Sequence, residues 1–177
     1  MATLVPQSHP ALHSIAEEIT PEEIASGVAA KIIKDMRAAL LTYNVEGFVA
    51  VAIAAPQIGI SKRIFLVSDQ SERTEDRLPE IVAINPRIVK SSKKTMEVGE
   101  GCLSVPEHYG VVERAKNVTL RALDEHGTEF ERGAGGLLAQ IFQHECDHLD
   151  GTLFVDRATR VWHKDEINRE TPKEAHE

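Results

Sequence analysis

Leu137-Leu138-Ala139-Gln140-Ile141-Phe142-Gln143-His144-Glu145-Cys146-Asp147-His148-Leu149, closed by Asp150-Gly151, is the stretch on which the reading of this 177-residue chain turns. Leu137, Ile141, His144 and His148 recur at three- and four-residue intervals, so a helix of 3.6 residues per turn stacks them along one face. Glycines at 133, 135 and 136 precede the run and Gly151 stops it, as glycine does at helix ends. The same face thus carries core residues and two imidazoles a turn apart, with Glu145 beside them. This is a His-Glu-x-x-His pattern, in which both histidines reach one metal ion and the glutamate acts on a water molecule. A helix that turns its ligands inward with its apolar residues buries the ligand set under apolar cover. The bland alternative is a structural histidine pair, and a third ligand decides between the two.

Cys102, in Glu100-Gly101-Cys102-Leu103-Ser104, is the candidate. Two imidazoles and one thiolate leave the fourth position of a tetrahedral ion for water, the arrangement of a catalytic site and not of a scaffold. Such an ion brings the pKa of water toward ~7 and polarises a carbonyl, while Glu145 can carry the water's proton to a leaving amine. The pattern points to amide hydrolysis. Cys146 lies off the ligand face and reads as a small buried hydrophobe. Asp147 also faces away from both histidines, which suits a supporting or surface group better than a ligand. A Cys102–Cys146 disulfide is set aside, because both cysteines fall in the metal pattern of a chain without an export signal.

Further out, Thr20-Pro21-Glu22-Glu23 has the cap hydroxyl, first-turn proline and third-position glutamate of a helix start. Ile24, Val28, Ile32, Ile33, Met36 and Leu40 continue at helical spacing, which predicts one amphipathic helix over residues 21–42, with Asn44 and Gly47 at its exit. Apolar and β-branched runs predict strands at 48–53, 64–67, 81–84, 87–89, 95–98, 118–123 and 128–131, with a hairpin turn at Asp124-Glu125-His126-Gly127. Residues 68–79 read as a polar surface loop. The mixed-charge tail from about residue 164 reads as frayed or loosely helical, and Trp162 as the side chain that packs the chain end onto the body. One domain over 1–177 accounts for this length, and a hydrophobic content of 42 % can fill its core.

A formal net charge of −8 disfavours a broad grip on nucleic acid or on an anionic membrane. No run reaches the ~18 apolar residues of a membrane span, and no basic segment followed by an apolar core opens the chain, so a cytoplasmic protein is expected.

With residues 50–57 added, these words resemble three signatures of the peptide deformylases. Ala50-Val51-Ala52-Ile53-Ala54-Ala55-Pro56-Gln57 stands for Gly-x-Gly-x-Ala-Ala-x-Gln, residues 100–104 for Glu-Gly-Cys-Leu-Ser, and residues 143–149 for Gln-His-Glu-x-Asp-His-Leu. They come in the family's order. Ile84-Asn85-Pro86 and the hairpin near residues 120–130 also look like that family, so the likeness runs through nearly the whole chain. It implies an α+β fold, mostly antiparallel sheets around the central helix with the N-terminal helix packed outside. It also implies removal of the formyl group from the N-terminal formylmethionine of nascent polypeptides, releasing formate, with the ribosome as a candidate partner.

Carried over residue by residue, the resemblance makes Cys102, His144 and His148 the ligands of one divalent ion, natively ferrous iron, with zinc, nickel or cobalt able to replace it. Glu145 becomes the general acid/base. Gln57 and the backbone N–H of Leu103 become the donors to the formyl oxygen as it turns into an oxyanion. Read by residue type alone, Gln57 is a solvated turn residue after Pro56 and Glu100 a surface acid; the resemblance puts Glu100 beside the metal pocket, ordering the cysteine-bearing segment. Val51, Ala52, Glu100 and Tyr109 fall on the substrate side, and an apolar pocket lined in part by Leu137 and Ile141 takes the methionine side chain.

The chain departs from the family on that side. Ala50 and Ala52 replace the usual glycines, where a methyl group can narrow the cleft, and Tyr109 replaces an arginine common near the peptide-binding rim. Two readings therefore stand beside the first: hydrolysis of another N-formyl or N-acyl compound, and a catalytically idle metal-binding relative. A general metalloendopeptidase fits less well, since such enzymes usually draw their third ligand from downstream and not from an upstream cysteine.

Overall fold

A computed structural model describes residues 3–43, 49–69 and 77–167. Strands β1 (Ala52–Ala54), β2 (Ile64–Val67), β3 (Ile81–Ser91), β6 (Asn117–Leu123) and β7 (Glu129–Gly135) form a five-stranded sheet in the order β1-β2-β3-β6-β7. A second, three-stranded sheet has the order β4-β5-β8, from β4 (Thr95–Cys102), β5 (Val105–Ala115) and β8 (Arg160–His163). All named strand pairings are antiparallel. The fold is α+β, as the sequence implies, and helix α3 (Gly136–Leu149) packs against strands of both sheets.

The alternation along β2 explains why two helices are needed. Phe65 and Val67 join Phe142 and Leu149 of α3 in one buried cluster, with the Phe65 and Phe142 rings 5.9 Å apart. Ile64 and Leu66 point the other way, into a cluster with Ile32, Ile33, Met36 and Leu40 of helix α2 (Val28–Thr42). A strand with no solvent face requires cover on both sides, and each large apolar side chain so buried contributes about 1.5–3 kcal/mol. A third cluster under the small sheet holds Leu12, Cys102, Val105, Val112, Leu153 and Phe154.

Several predicted elements change. The single helix over 21–42 is two, α1 (Pro21–Ala25) and α2, because Gly27 adopts φ +83°, which no helical residue can hold. The start of α1 is as expected: Glu23 N–H donates to Thr20 Oγ1 at 3.2 Å and Thr20 N–H to the Glu23 carboxylate at 2.9 Å. The exit residues Asn44 and Gly47 lie outside the described residues, as does Phe48 of the run at 48–53, whose ordered strand is only β1. Runs 81–84 and 87–89 are one strand, not two. Asn85, at φ +51°, makes a bulge there, held by Ile19 through two hydrogen bonds of 2.8 Å each.

The strand at 95–98 continues to Cys102, and β5 has no counterpart in the predicted elements. Its inward positions hold Gly110, Val112 and Arg114, so the apolar alternation that betrays a strand is missing. Residues 160–163 form β8 just before the tail, whose Lys164–Ile167 make a helical turn α5, whereas 168–177 lie outside the described residues. Trp162 pairs with Tyr109 and is half-buried, so it does hold the end of the described chain to the body. Gly151, at φ +73°, ends α3 where a Cβ would meet the Ser14 backbone nitrogen at 2.8 Å. Among the described residues no helix is long and apolar enough to cross a membrane.

Candidate active site

Helix α3 brings His144 and His148 together one turn apart, with ring centroids 4.9 Å from each other. Cys102 arrives from the end of β4, at the point where the ladder with β5 slips from Gly101↔Tyr109 to Cys102↔Val105 and the chain turns back. One ligand atom from each of Cys102, His144 and His148 lies within 4.8 Å of the others, and Cys102 Sγ is 3.1 Å from His148 Nε2. His144 has no choice of nitrogen, since its Nδ1 donates to Glu100 Oε2 at 2.9 Å and leaves Nε2 for the cluster. The Phe154 ring of helix α4 (Phe154–Arg157) stacks 6.4 Å from His144. A thiolate with two imidazole nitrogens suits a divalent transition ion and leaves coordination positions open.

Burial opposes a charged thiol at Cys102, yet the His148 and His144 imidazoles outweigh it and hold the thiol well below its ordinary value. Burial likewise opposes a charged His144, but Cys102 and Glu100 keep that imidazole well above its usual range. Cys102 is thus held as the thiolate that a metal takes, whereas His144 would meet the metal as a neutral imidazole, giving up the proton on Nε2.

Glu100 is the pivot behind them. Arg114, only 4 % exposed, grips its carboxylate at both oxygens, 2.8 Å from Nε and 2.9 Å from Nη2, and reaches Asp147 Oδ2 with Nη1 at 2.6 Å. Burial disfavours the Glu100 anion, but His144 and Arg114 prevail and depress its pKa to about 2. Glu100 borders the cavity, but its carboxylate is engaged by Arg114 and His144, which fits ordering the ligands better than meeting a substrate. Asp147 does face away from the ligands, where it accepts from Arg114 and from Arg157 at 2.8 Å. Arg114 itself was not legible in the sequence as part of a site.

Glu145 is buried, and its Oε2 has no hydrogen-bond partner among the described residues. Burial raises its pKa to about 7, with the two imidazoles pulling the other way. Gln57, 1 % exposed, sits across from it in a fixed orientation: its Oε1 accepts from Ala54 N–H at 2.8 Å, which turns Nε2 toward Ser104 Oγ at 3.2 Å and Cys102 Sγ at 3.5 Å. The four-residue helical turn after β1, Ala55–Ile58, is what aims it, and Ser104 is a second contact with no signal of its own in the sequence.

A cavity of about 120 Å³ opens over these groups. Val51, Ala52, Gln57, Leu103, Leu137 and Ile141 border it together with Cys102, His144 and Glu145, as the sequence leads one to expect, and so does Ala50. Tyr109 does not; it lies on β5 opposite Gly101, half-buried. Ala52 also packs into the cluster of Ala139, Ile141 and Phe142, so its methyl group belongs to the wall between cavity and core. The pocket is less apolar than predicted, because Gln140 completes the wall between Leu137 and Ile141. Cys146 is a core residue whose thiol burial pushes up to about 12.

Residues 1–164 match the family model described as polypeptide deformylase. The chain is 42% identical over 158 residues to a peptide deformylase of Carboxydothermus hydrogenoformans, covering 88% of this chain and 91% of that one. It is 40% identical over 169 residues to the chloroplastic peptide deformylase 1A of Solanum lycopersicum; the match covers 89% of this chain and spans 59% of the tomato protein's length. Among solved structures, a class I type b peptide deformylase from Acinetobacter baumannii with Met-Ala-Ser bound superposes with a TM-score of 0.79 at 36% identity, over 89% of this chain and 99% of that one.

Proposed function

The chain belongs to the peptide deformylase family, a metal-dependent family that removes the N-formyl group from nascent peptides, and from that premise we propose that it hydrolyses the formyl amide of N-terminal formylmethionine. The observation that carries the proposal is the buried, unpartnered Glu145 Oε2 beside the Cys102, His144 and His148 cluster, facing the same small cavity as the Gln57 amide. A structural histidine pair would need neither group.

Cys102, His144 and His148 would hold one divalent ion, ferrous iron natively with zinc, nickel or cobalt as substitutes, and that ion supplies Lewis-acid polarisation of the formyl carbonyl and of the attacking water. Glu145, as a carboxylate, takes the proton from that water at Oε2 and returns it to the amine nitrogen as the C–N bond breaks. Formate and a free α-amine result. Gln57 Nε2 and the Leu103 backbone N–H donate to the formyl oxygen as negative charge collects on it, and each such donor is worth about 3 kcal/mol in acyl-transfer sites. Val51 and Ala52 border the peptide, Leu137 and Ile141 its first side chain. Tyr109, near the rim and not in the lining, would act only on residues further along. The substrate is met as it leaves the ribosome in the cytoplasm, without direct contact to nucleic acid.

The test is formate release from formyl-Met-Ala-Ser by the iron- or nickel-loaded protein. Turnover that depends on metal and falls by about 10²–10⁴ in Glu145→Ala supports the reading. No metal-dependent turnover of any formylated peptide sinks it. A second reading, a smaller N-formyl compound as substrate, is favoured by Ala50 and Ala52, whose methyl groups stand in the cavity wall where the family has glycine. Formylated small amines turned over faster than the tripeptide would establish it.

A further inference from the structure

One polar side chain in the cavity wall has no part in the reaction proposed above. Gln140 borders the cavity one turn before His144, flanked along the helix by Leu137 and Ile141. Its Nε2 donates to the Gly99 carbonyl of β4 at 2.9 Å. Because a carbonyl can only accept, this bond settles which way the amide is turned: the nitrogen toward β4, and Oε1 with no protein partner among the described residues. The side chain is half-buried and tied at one end, so it offers a pre-oriented acceptor, and its second amide hydrogen, at little entropic cost.

We propose that Gln140 is a specificity-determining residue that lets the pocket take a first side chain of methionine's length bearing a hydrogen-bonding end, a glutamine side chain above all, and not only an apolar one. This rests on the reading of the cavity as the place of the residue next to the formyl group. Methionine and glutamine side chains are equal in length, so the choice between them is one of chemistry and not of size. Leu137 and Ile141 cover the methylenes of either. The difference arises at the far end. An apolar tip against Gln140 would shut solvent from its oxygen and leave it unpaired, whereas a glutamine amide would donate to it.

Formyl-norleucine-Ala-Ser and formyl-Gln-Ala-Ser separate the two cases, since norleucine matches methionine in length and lacks a polar atom. In the metal-loaded protein the ratio of kcat/KM for glutamine over norleucine is expected to fall roughly five- to tenfold on Gln140→Leu, the equilibrium worth of one neutral hydrogen bond. The change should lie in KM and not in kcat, because the contact is equally strong in ground and transition states. Gln140→Met serves as a second variant if the first folds poorly, with circular dichroism of both as the check. Calorimetric binding of the product peptides Gln-Ala-Ser and norleucine-Ala-Ser should give the same ratio without any turnover. A ratio that stays unchanged in both variants, by kinetics and by binding, overturns the inference. If the wild-type protein turns over no formylated peptide, the proposed function fails, and the binding ratio still decides for or against Gln140.

Discussion

Arg114 binds two carboxylates, Glu100 that orients His144 and Asp147 on the far side of the helix, and it does so almost entirely out of water. Replacing it with Met keeps the volume roughly filled but leaves Glu100 and Asp147 buried without their cation, and removing one member of such a network costs about 3–5 kcal/mol. Arg114→Met should therefore lower the urea midpoint markedly with little change in m, and a loss under 1 kcal/mol would show that the network is better solvated than its burial indicates. The two thiols give a second prediction. Cys102 is a depressed-pKa ligand and Cys146 a core residue pushed up to about 12, so iodoacetamide on the metal-free fold should modify Cys102 first, and added nickel should protect it. Mass mapping that finds Cys146 alkylated first in the folded protein would contradict both assignments. At this scale the sequence shows the ligands and Glu145 well, because metal chemistry ties residue type to spacing. Arg114 and Gln140 are hidden in it: an inward arginine in a strand and a polar residue on an apolar helix face look like interruptions of a pattern until their partners, Glu100 and Gly99, are placed beside them.

Among the elements, the predicted helix over 21–42 is instructive because its error has one cause. Apolar spacing persists across Gly27, so periodicity carries the helix through a residue whose φ of +83° ends it. In an ordinary helix interior Gly→Ala stabilises by roughly 0.5–1 kcal/mol; at this position the left-handed backbone reverses the sign. Nothing lies within 4 Å of where a Cβ would sit at Gly27, so the backbone alone decides. Gly27→Ala is expected to destabilise by about 1 kcal/mol, read from thermal or urea unfolding, and a stabilised variant would mean that α1 and α2 fuse in solution. The long strands show the opposite failure. The sequence pattern breaks β3 where Asn85 makes its bulge and gives no sign of β5, since long-range contacts to Ile19, Glu100 and Asp147 hold these segments extended and none of them leaves a local pattern.

For the whole molecule, both sheets and α3 converge on a point where Cys102, His144 and His148 bring polar ligand atoms into the interior. Cys102 comes from the small sheet, Gln57 from the turn beyond β1 of the large one, and both histidines from the helix between. An ion there ties together elements that also meet through the apolar clusters and through the Arg114, Glu100, His144 and Asp147 network. It binds the folded chain far better than the unfolded one, so at a free metal concentration of 100 times Kd it adds about 2.7 kcal/mol. For a chain of this size 1 kcal/mol moves Tm by about 2–4 °C, which predicts a rise of roughly 5–10 °C with nickel or zinc over the chelated protein. Cys102→Ala should abolish most of that rise, because two imidazoles alone make a weak site. Glu145→Gln should retain it, because Glu145 holds no ligand position even though it lies against the cluster. A Glu145→Gln protein that also loses the rise would make Glu145 a ligand, and the proton transfer assigned to it would have to pass to another residue.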